Sequence, residues 1–169
     1  AASDVYKRQI GGMAARNSAS QLCSNGCNCL ISFGYAGALS PKYSSGALVI
    51  WHSVSNEENT IYINSRRRKE LVKLISKEKS LCSYDAAFLS TSLPLRTKSQ
   101  KISQNPDGEW DAVEMESYEI AEVAKTHGIP FFIIRAIVDE LDTIIPKGAE
   151  NMIDLNGKQK FAFQKLTRK

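Results

Sequence analysis

Three places in this chain carry residue types at a spacing that could do chemistry. The first is "DAVEMES", residues 111–117, in which Glu114 and Glu116 flank Met115. In an extended strand alternate side chains share a face. Ala112, Glu114 and Glu116 therefore fall on one side, and Asp111, Val113 and Met115 on the other. Carboxylates at the end of a buried strand are costly unless something binds them. A vicinal diol such as that of ribose can donate two hydrogen bonds to one carboxylate. Acids that complement the dipole of a following helix account for the same spacing. The second place is Asp139, which closes the apolar run "IIRAIVD". A carboxyl group approached through apolar side chains can serve as a general acid near neutral pH. A helix cap or an ordinary loop aspartate is the plainer alternative, and Asp142 competes for the role. The third is "SFGYAGAL", where Gly34 and Gly37 bracket Tyr35 and Ala36. Glycines in a turn let backbone N–H groups come close to an anion or a sugar. The pattern is neither a dinucleotide fingerprint nor a P-loop, and a plain tight turn also explains it.

These residues need elements to hold them. "ARNSASQLCSNG" reads as a helix stopped near Gly26, and "CLISFGYAGAL" as a short buried strand running into a glycine turn. "GALVIWHSV" and "YDAAFLST" read as strands, with "TIYIN" a weaker one. Residues 65–79 place Leu71, Leu74 and Ile75 at helical spacing behind Ser65 as a candidate N-cap. "NPDGEW" is a turn cluster, "DAVEM" a strand, "ESYEIAEVAKTHG" a helix ended by Gly128, and "IPFFIIRAIVD" an apolar strand. Strands alternating with helices, with near-continuous apolar core strands, predict an α/β domain. Its architecture is a three-layer α/β/α sandwich around a mixed, mainly parallel sheet. Ligands of such sheets bind at the carboxyl ends of strands, where all three places lie.

Composition narrows the classes. The chain has 169 residues, 43% of them apolar and 24% charged, ordinary for one globular domain. No apolar run approaches the roughly 18 residues of a membrane span, and no signal peptide is visible, so a cytoplasmic protein is expected. The net charge of +4 gathers in Arg66–Lys69, Arg96–Lys101 and the C-terminal "KLTRK". These runs are short and lack interleaved aromatics, so they read as solvated faces and exposed ends, with no nucleic-acid partner. Cys23, Cys27 and Cys29 form C-x3-C-x-C. That spacing does not match structural zinc, and reduced thiols used as small apolar residues are expected, with no metal. "SDVYKRQ" resembles the translation of a library-preparation adapter, so residues 1–9 are expected to be a non-native scar. The domain then runs over residues 10–169, and the chain is expected to be a fragment, inactive or nearly so alone.

Taken together, the three places resemble the nucleoside phosphorylase/nucleosidase superfamily. "GGMAARNSASQLCSNGCNCLISFGYAGAL" is similar to that family's helix and strand before a T/S-A-G-G-like turn. "DAVEMESYEIAEVAKTHGIPFFIIRAIVDELD" is similar to its A-V-(D/E)-M-E, helix, P-F-x-x-(V/I)-R-x-(I/V)-S-D-x-x-D segment. The match over about thirty positions in order is specific. The hopanoid-associated phosphorylase branch is nearest in flavour, through "EMES", "DELDTIIPKGAENMIDLNG" and the Ser-Gln-Lys stretch before "GEWDAVEMES". Methylthioadenosine/S-adenosylhomocysteine nucleosidases come next. The resemblance implies cleavage of the N-glycosidic bond of a purine nucleoside or nucleoside-lipid, with phosphate or water as nucleophile. It implies no cofactor beyond inorganic phosphate as a co-substrate, and a homo-oligomer of the full-length protein. Asp139 would hydrogen-bond or protonate N7 of the base. Glu116 would bind the ribose hydroxyls, with Met115 packed on the sugar and Glu114 beside them. Gly34, Tyr35, Ala36 and Gly37 would shape the nucleophile side, and Thr91, Ser92 and Leu93 the base side. Three positions depart from the pattern. Tyr35 replaces a small hydroxyl residue, Ala38 the second glycine of the turn, and Val138 the serine before the aspartate.

Overall fold

A computed structural model describes residues 11–63, 65–75 and 83–146. The expected scar at residues 1–9, Cys82 and the C-terminal basic run lie outside the described residues, as does the end of the helix expected to reach residue 79.

Helix α1 (Gly12–Ser24) stops where Gly26 takes a φ of 83°, a left-handed conformation that suits glycine. Strand β1 (Leu30–Ala38) follows. Strand β2 (Leu48–Ser55) forms a hairpin with β3 (Thr60–Tyr62), and helix α2 (Ser65–Ile75) begins at Ser65 itself. Strand β4 (Ser83–Ser90), helix α3 (Lys98–Gln104), strand β5 (Ala112–Glu114), helix α4 (Ser117–Thr126) and strand β6 (Phe131–Asp139) complete the chain.

The sheet order is β3-β2-β4-β5-β1-β6. Its two longest ladders, β1–β6 and β2–β4, are parallel, whereas β1–β5 and β2–β3 are antiparallel. The α/β class and the mixed, mainly parallel sheet agree with expectation. One feature adds to it: β2 also pairs antiparallel with β6, Leu48 opposite Ala136, so β2, β4, β5, β1 and β6 close into a ring with β3 outside it. The interior is apolar, built on Trp51, Phe88, Ile133 and Ile137 with the small residues Ala36, Ala38, Ala86 and Ala112 between them. Trp51 and Phe131 pack with ring centroids 4.8 Å apart and planes tilted by 45°. A second apolar cluster joins α1 to α4 through Ala19, Leu30, Val123 and Ala124, with Cys23 and Cys27 packed against it.

Two expectations fail here. Gly34 and Gly37 are not in a turn, because β1 continues through both to Ala38. The basic stretch Arg96–Lys101 is not simply a solvated face. Its second half forms α3, and Lys101 is completely buried. Thr97 starts that helix with a capping box: its hydroxyl accepts from the Gln100 N–H, and the Gln100 side chain returns a bond to the Thr97 N–H.

Candidate active site

The site begins with the short strand β5. Glu114 is its last residue, and a parallel ladder to β4 sets Ser90 opposite it. The Thr91 N–H donates to the Glu114 carbonyl at 2.8 Å, which draws the chain after β4 beside "EME". Helix α4 then starts with Glu116 at its N-cap position. The two glutamates divide the roles that the sequence left open. The Glu114 carboxylate accepts the backbone N–H groups of Glu116 and Ser117 and the Ser117 hydroxyl. It also takes Arg135 Nη2 at 2.7 Å, with both side chains at most 3% exposed. Glu114 is thus the helix cap and half of a buried ion pair. Glu116 caps nothing, is 34% exposed, and sits 3.6 Å from Arg135 Nη2. Its carboxylate stays available to a ligand.

Arg135 comes from β6, and the sequence reading gave it no role. Nη2 is fully used by Glu114, Ser32 and Ser117. Nε is buried without a hydrogen-bond partner among the described residues. Nη1 lies against Gly34, in the space that a Cβ there would occupy. The signal available in the sequence was the single charge inside "FFIIRAIV", since a buried arginine must be paired.

Asp139 ends β6. Between Ala36 and Gly37 the β1–β6 register slips, so that Gly37 faces Asp139 and Val138 is the extra residue of a bulge. The bulge sets Val138 outward and aims the Asp139 carboxylate at the bare Cα of Gly37. A Cβ on Gly37 would come within 2.6 Å of Asp139 Oδ2. The two glycines of β1 thus admit side chains from β6, where the sequence suggested close approach of backbone to a ligand. The approach to Asp139 is not apolar either. Lys101 Nζ donates to Asp139 Oδ2 at 2.6 Å and to the Glu140 carbonyl at 2.6 Å. Asp142, the competing carboxylate, is exposed and paired with Lys98.

These groups line one cavity of about 340 Å³, within the range of small-ligand sites. Glu114, Met115, Glu116, Arg135 and Asp139 contribute to it, as do Gly34, Tyr35, Ala36 and Gly37 of β1. Thr91, Pro94, Leu95 and Ile145 line it from the other connections. Phe33, Tyr35 and Val138 also line it while exposing apolar surface, Tyr35 being 67% exposed. Of the three residues expected at the base side only Thr91 lines this cavity. Ser92 lines an adjoining cavity of about 480 Å³ that shares Thr91 and Met115, and Leu93 points to solvent. Pro94 and Leu95 line the first cavity from the same connection. Arg135 and Asp139 are four residues apart on one strand, roughly 12–13 Å by the usual rise. They can therefore address opposite ends of a ligand. One end offers a guanidinium flanked by carboxylates, the other a carboxylate held by an ammonium.

Among the described residues no group of three or more His, Cys, Asp or Glu could hold a metal ion. The Cys23 and Cys27 sulfurs lie 3.7 Å apart, and burial together with the neighbouring thiol pushes Cys23 up to about 11. No helix among the described residues is long and apolar enough to cross a membrane.

Solved structures share this architecture. A candidate methylthioadenosine nucleosidase from Weissella paramesenteroides superposes with a TM-score of 0.74 at 22% identity, over 79% of this chain and 68% of that one. A futalosine hydrolase mutant of Helicobacter pylori gives 0.72 at 18% identity, over 80% and 66%. The Campylobacter jejuni 5'-methylthioadenosine/S-adenosyl homocysteine nucleosidase gives 0.71 at 21%, over 87% and 69%. The chain thus spans about two thirds of the length of these proteins. A comparison with curated protein sequences returned no match. The sequence profile of the phosphorylase superfamily aligns with residues 10–165, taking in the "EME" strand, the Arg135–Asp139 strand and the glycines that admit both side chains, and the chain belongs to that superfamily.

Proposed function

We propose that the protein containing this chain cleaves the N-glycosidic bond of a purine nucleoside, by phosphorolysis or hydrolysis. One observation carries the reading: Arg135 and Asp139 from β6 and Glu116 from the start of α4 line a single cavity of about 340 Å³. Breaking such a bond leaves positive charge on the ribose ring and negative charge on the base. Glu116 holds the ribose hydroxyls, Met115 packs on the sugar, and the carboxylates near the ring favour its oxocarbenium character. Arg135, which lines the cavity with Nη1 lying beside Gly34, holds an oxygen of the nucleophile, phosphate or water, in line with the bond. Asp139 hydrogen-bonds or protonates N7, which lets the base leave neutral. General acid help of this kind contributes about 10²–10⁴-fold. Gly34 and Gly37 keep the space that Arg135 and Asp139 need.

The apolar rim of Phe33, Tyr35 and Val138 favours an apolar 5′ substituent, a thioether or a lipid, over a bare hydroxyl. The deciding experiment is an assay of free purine release by the full-length protein, with and without phosphate. The panel is adenosine, methylthioadenosine, S-adenosylhomocysteine and a nucleoside bearing a long alkyl chain at C5′. Release of base is expected, fastest with an apolar substituent. Release that stops without phosphate identifies phosphorolysis, and release that continues identifies hydrolysis. Tight nucleoside binding in calorimetry with no base release from any member would refute turnover and leave a binding module.

A further inference from the structure

Lys101 is the one lysine in the core of the described residues. Burial of an ammonium is expensive unless it is paired and hydrogen-bonded. Lys101 meets both conditions at one place, with two bonds of 2.6 Å to Asp139 Oδ2 and the Glu140 carbonyl. The helix that presents it is only seven residues long and is fixed by the Thr97–Gln100 capping box. Gln100 also accepts from the Arg96 N–H, tying the loop ahead of the helix to the same box. Nothing else in α3 reaches the core. The helix therefore serves to deliver one charge to one carboxylate.

We propose that Lys101 is a positioning residue for the reaction, setting which oxygen of Asp139 the base meets. Its ammonium pins Oδ2, and the missing side chain of Gly37 leaves room for the carboxylate, whose Oδ2 would lie 2.6 Å and Oδ1 3.0 Å from a Cβ there. Oδ1 has no hydrogen bond among the described residues, and in the protonated acid it carries the proton that passes to N7, while Oδ2 accepts from the ammonium. The bond from the same ammonium to the Glu140 carbonyl locks the backbone just beyond the bulge. A carboxyl group free to rotate would present N7 with the wrong oxygen or the wrong angle, which costs rate even when the nucleoside is bound.

The inference rests on the glycosidic reading above, and its test separates the two. Lys101→Met is compared with the parent full-length protein on two substrates. One is the nucleoside of the panel that the parent cleaves fastest. The other is p-nitrophenyl riboside, whose phenolate leaves without a proton. A drop in kcat of about 10²-fold is expected on the nucleoside, at the lower edge of general acid contributions. KM should change little, and the loss on p-nitrophenyl riboside should stay within about threefold. Equal losses on both substrates would mean that Lys101 only supports the fold, and an unchanged nucleoside rate would remove it from the reaction. For the case where methionine disturbs folding, Lys101→Ala with a parental melting curve is assayed with added propylamine. Recovery of nucleoside cleavage supports the proposal, and no recovery overturns it. A parent that releases no base would instead defeat the glycosidic reading, and the positioning role with it.

Discussion

Glu114→Ala tests the division of labour between the two glutamates, and its cost can be worked out in advance. The substitution strands Arg135, a guanidinium only 3% exposed. Removing one partner of a buried ion pair costs about 3–5 kcal/mol. It also takes the acceptor from two backbone N–H groups at the start of α4, worth roughly 1 kcal/mol as a lost cap. The sum, about 4–6 kcal/mol, is a large part of the ~5–15 kcal/mol that holds a domain together. In urea, with a slope of about 2 kcal/mol/M, the midpoint should fall by roughly 2–3 M. Denaturation followed by tryptophan fluorescence reads this directly, because Trp51 lies in the core. Glu114→Gln, which keeps an acceptor for the helix, should fall between. The double variant Glu114→Met/Arg135→Met should recover to within about 2 kcal/mol of the parent, since apolar replacement of a whole buried pair is often neutral. A shift below about 0.5 M for Glu114→Ala, or a double variant no better than the single one, would refute this reasoning.

Other outcomes follow from the same geometry. Asp139→Asn should lower kcat by about 10²–10⁴-fold with KM nearly unchanged, and equal turnover would remove its acid role. Glu116→Gln should raise KM and lower kcat while leaving the melting temperature alone, because that side chain is partly exposed and caps nothing; a fall in melting temperature with normal kinetics would contradict it. Gly37→Ala should cut turnover and cost about 1–3 kcal/mol as overpacking, since the new methyl meets the Asp139 carboxylate; parental rates and stability would show that β1 yields freely. Cys23, raised to about 11, should carry at pH 8 about a hundredfold less thiolate than an ordinary thiol. Its alkylation by iodoacetamide should therefore be slow at pH 8 and still rising past pH 10, and labelling at the rate of a free thiol would refute this.

The sequence was most legible where pattern and chemistry coincided. The long apolar run of β6 put Asp139 at a strand end, and the switch from "DAVEM" to helix put Glu116 at the strand-to-helix junction; both line the cavity. The glycines were found but misread. Period and composition cannot tell a turn that admits a ligand from a strand that admits a neighbour's side chain, and only the register of β1 against β6 decides it. Lys101 was missed because a run of basic residues resembles a solvated face. The Thr97-Lys-Ser-Gln100 capping signature was present in that run and would have marked the start of a helix. The stretch after Thr91 was placed loosely because Ser92, Leu93, Pro94 and Leu95 have no periodicity. Which of them turn inward is settled by tertiary packing around Leu89 and Trp110.

The bulge at Val138 separates two kinds of change. The residue outside the ladder faces outward at the rim, while its neighbour is locked by Lys101 and Gly37. Exchanging the side chain at position 138 should therefore alter what the cavity mouth accepts without moving the Asp139 carboxylate. On the proposed function, selection, or an engineer building a library, would retune ligand preference at that one codon while the groups facing the scissile bond stay in place.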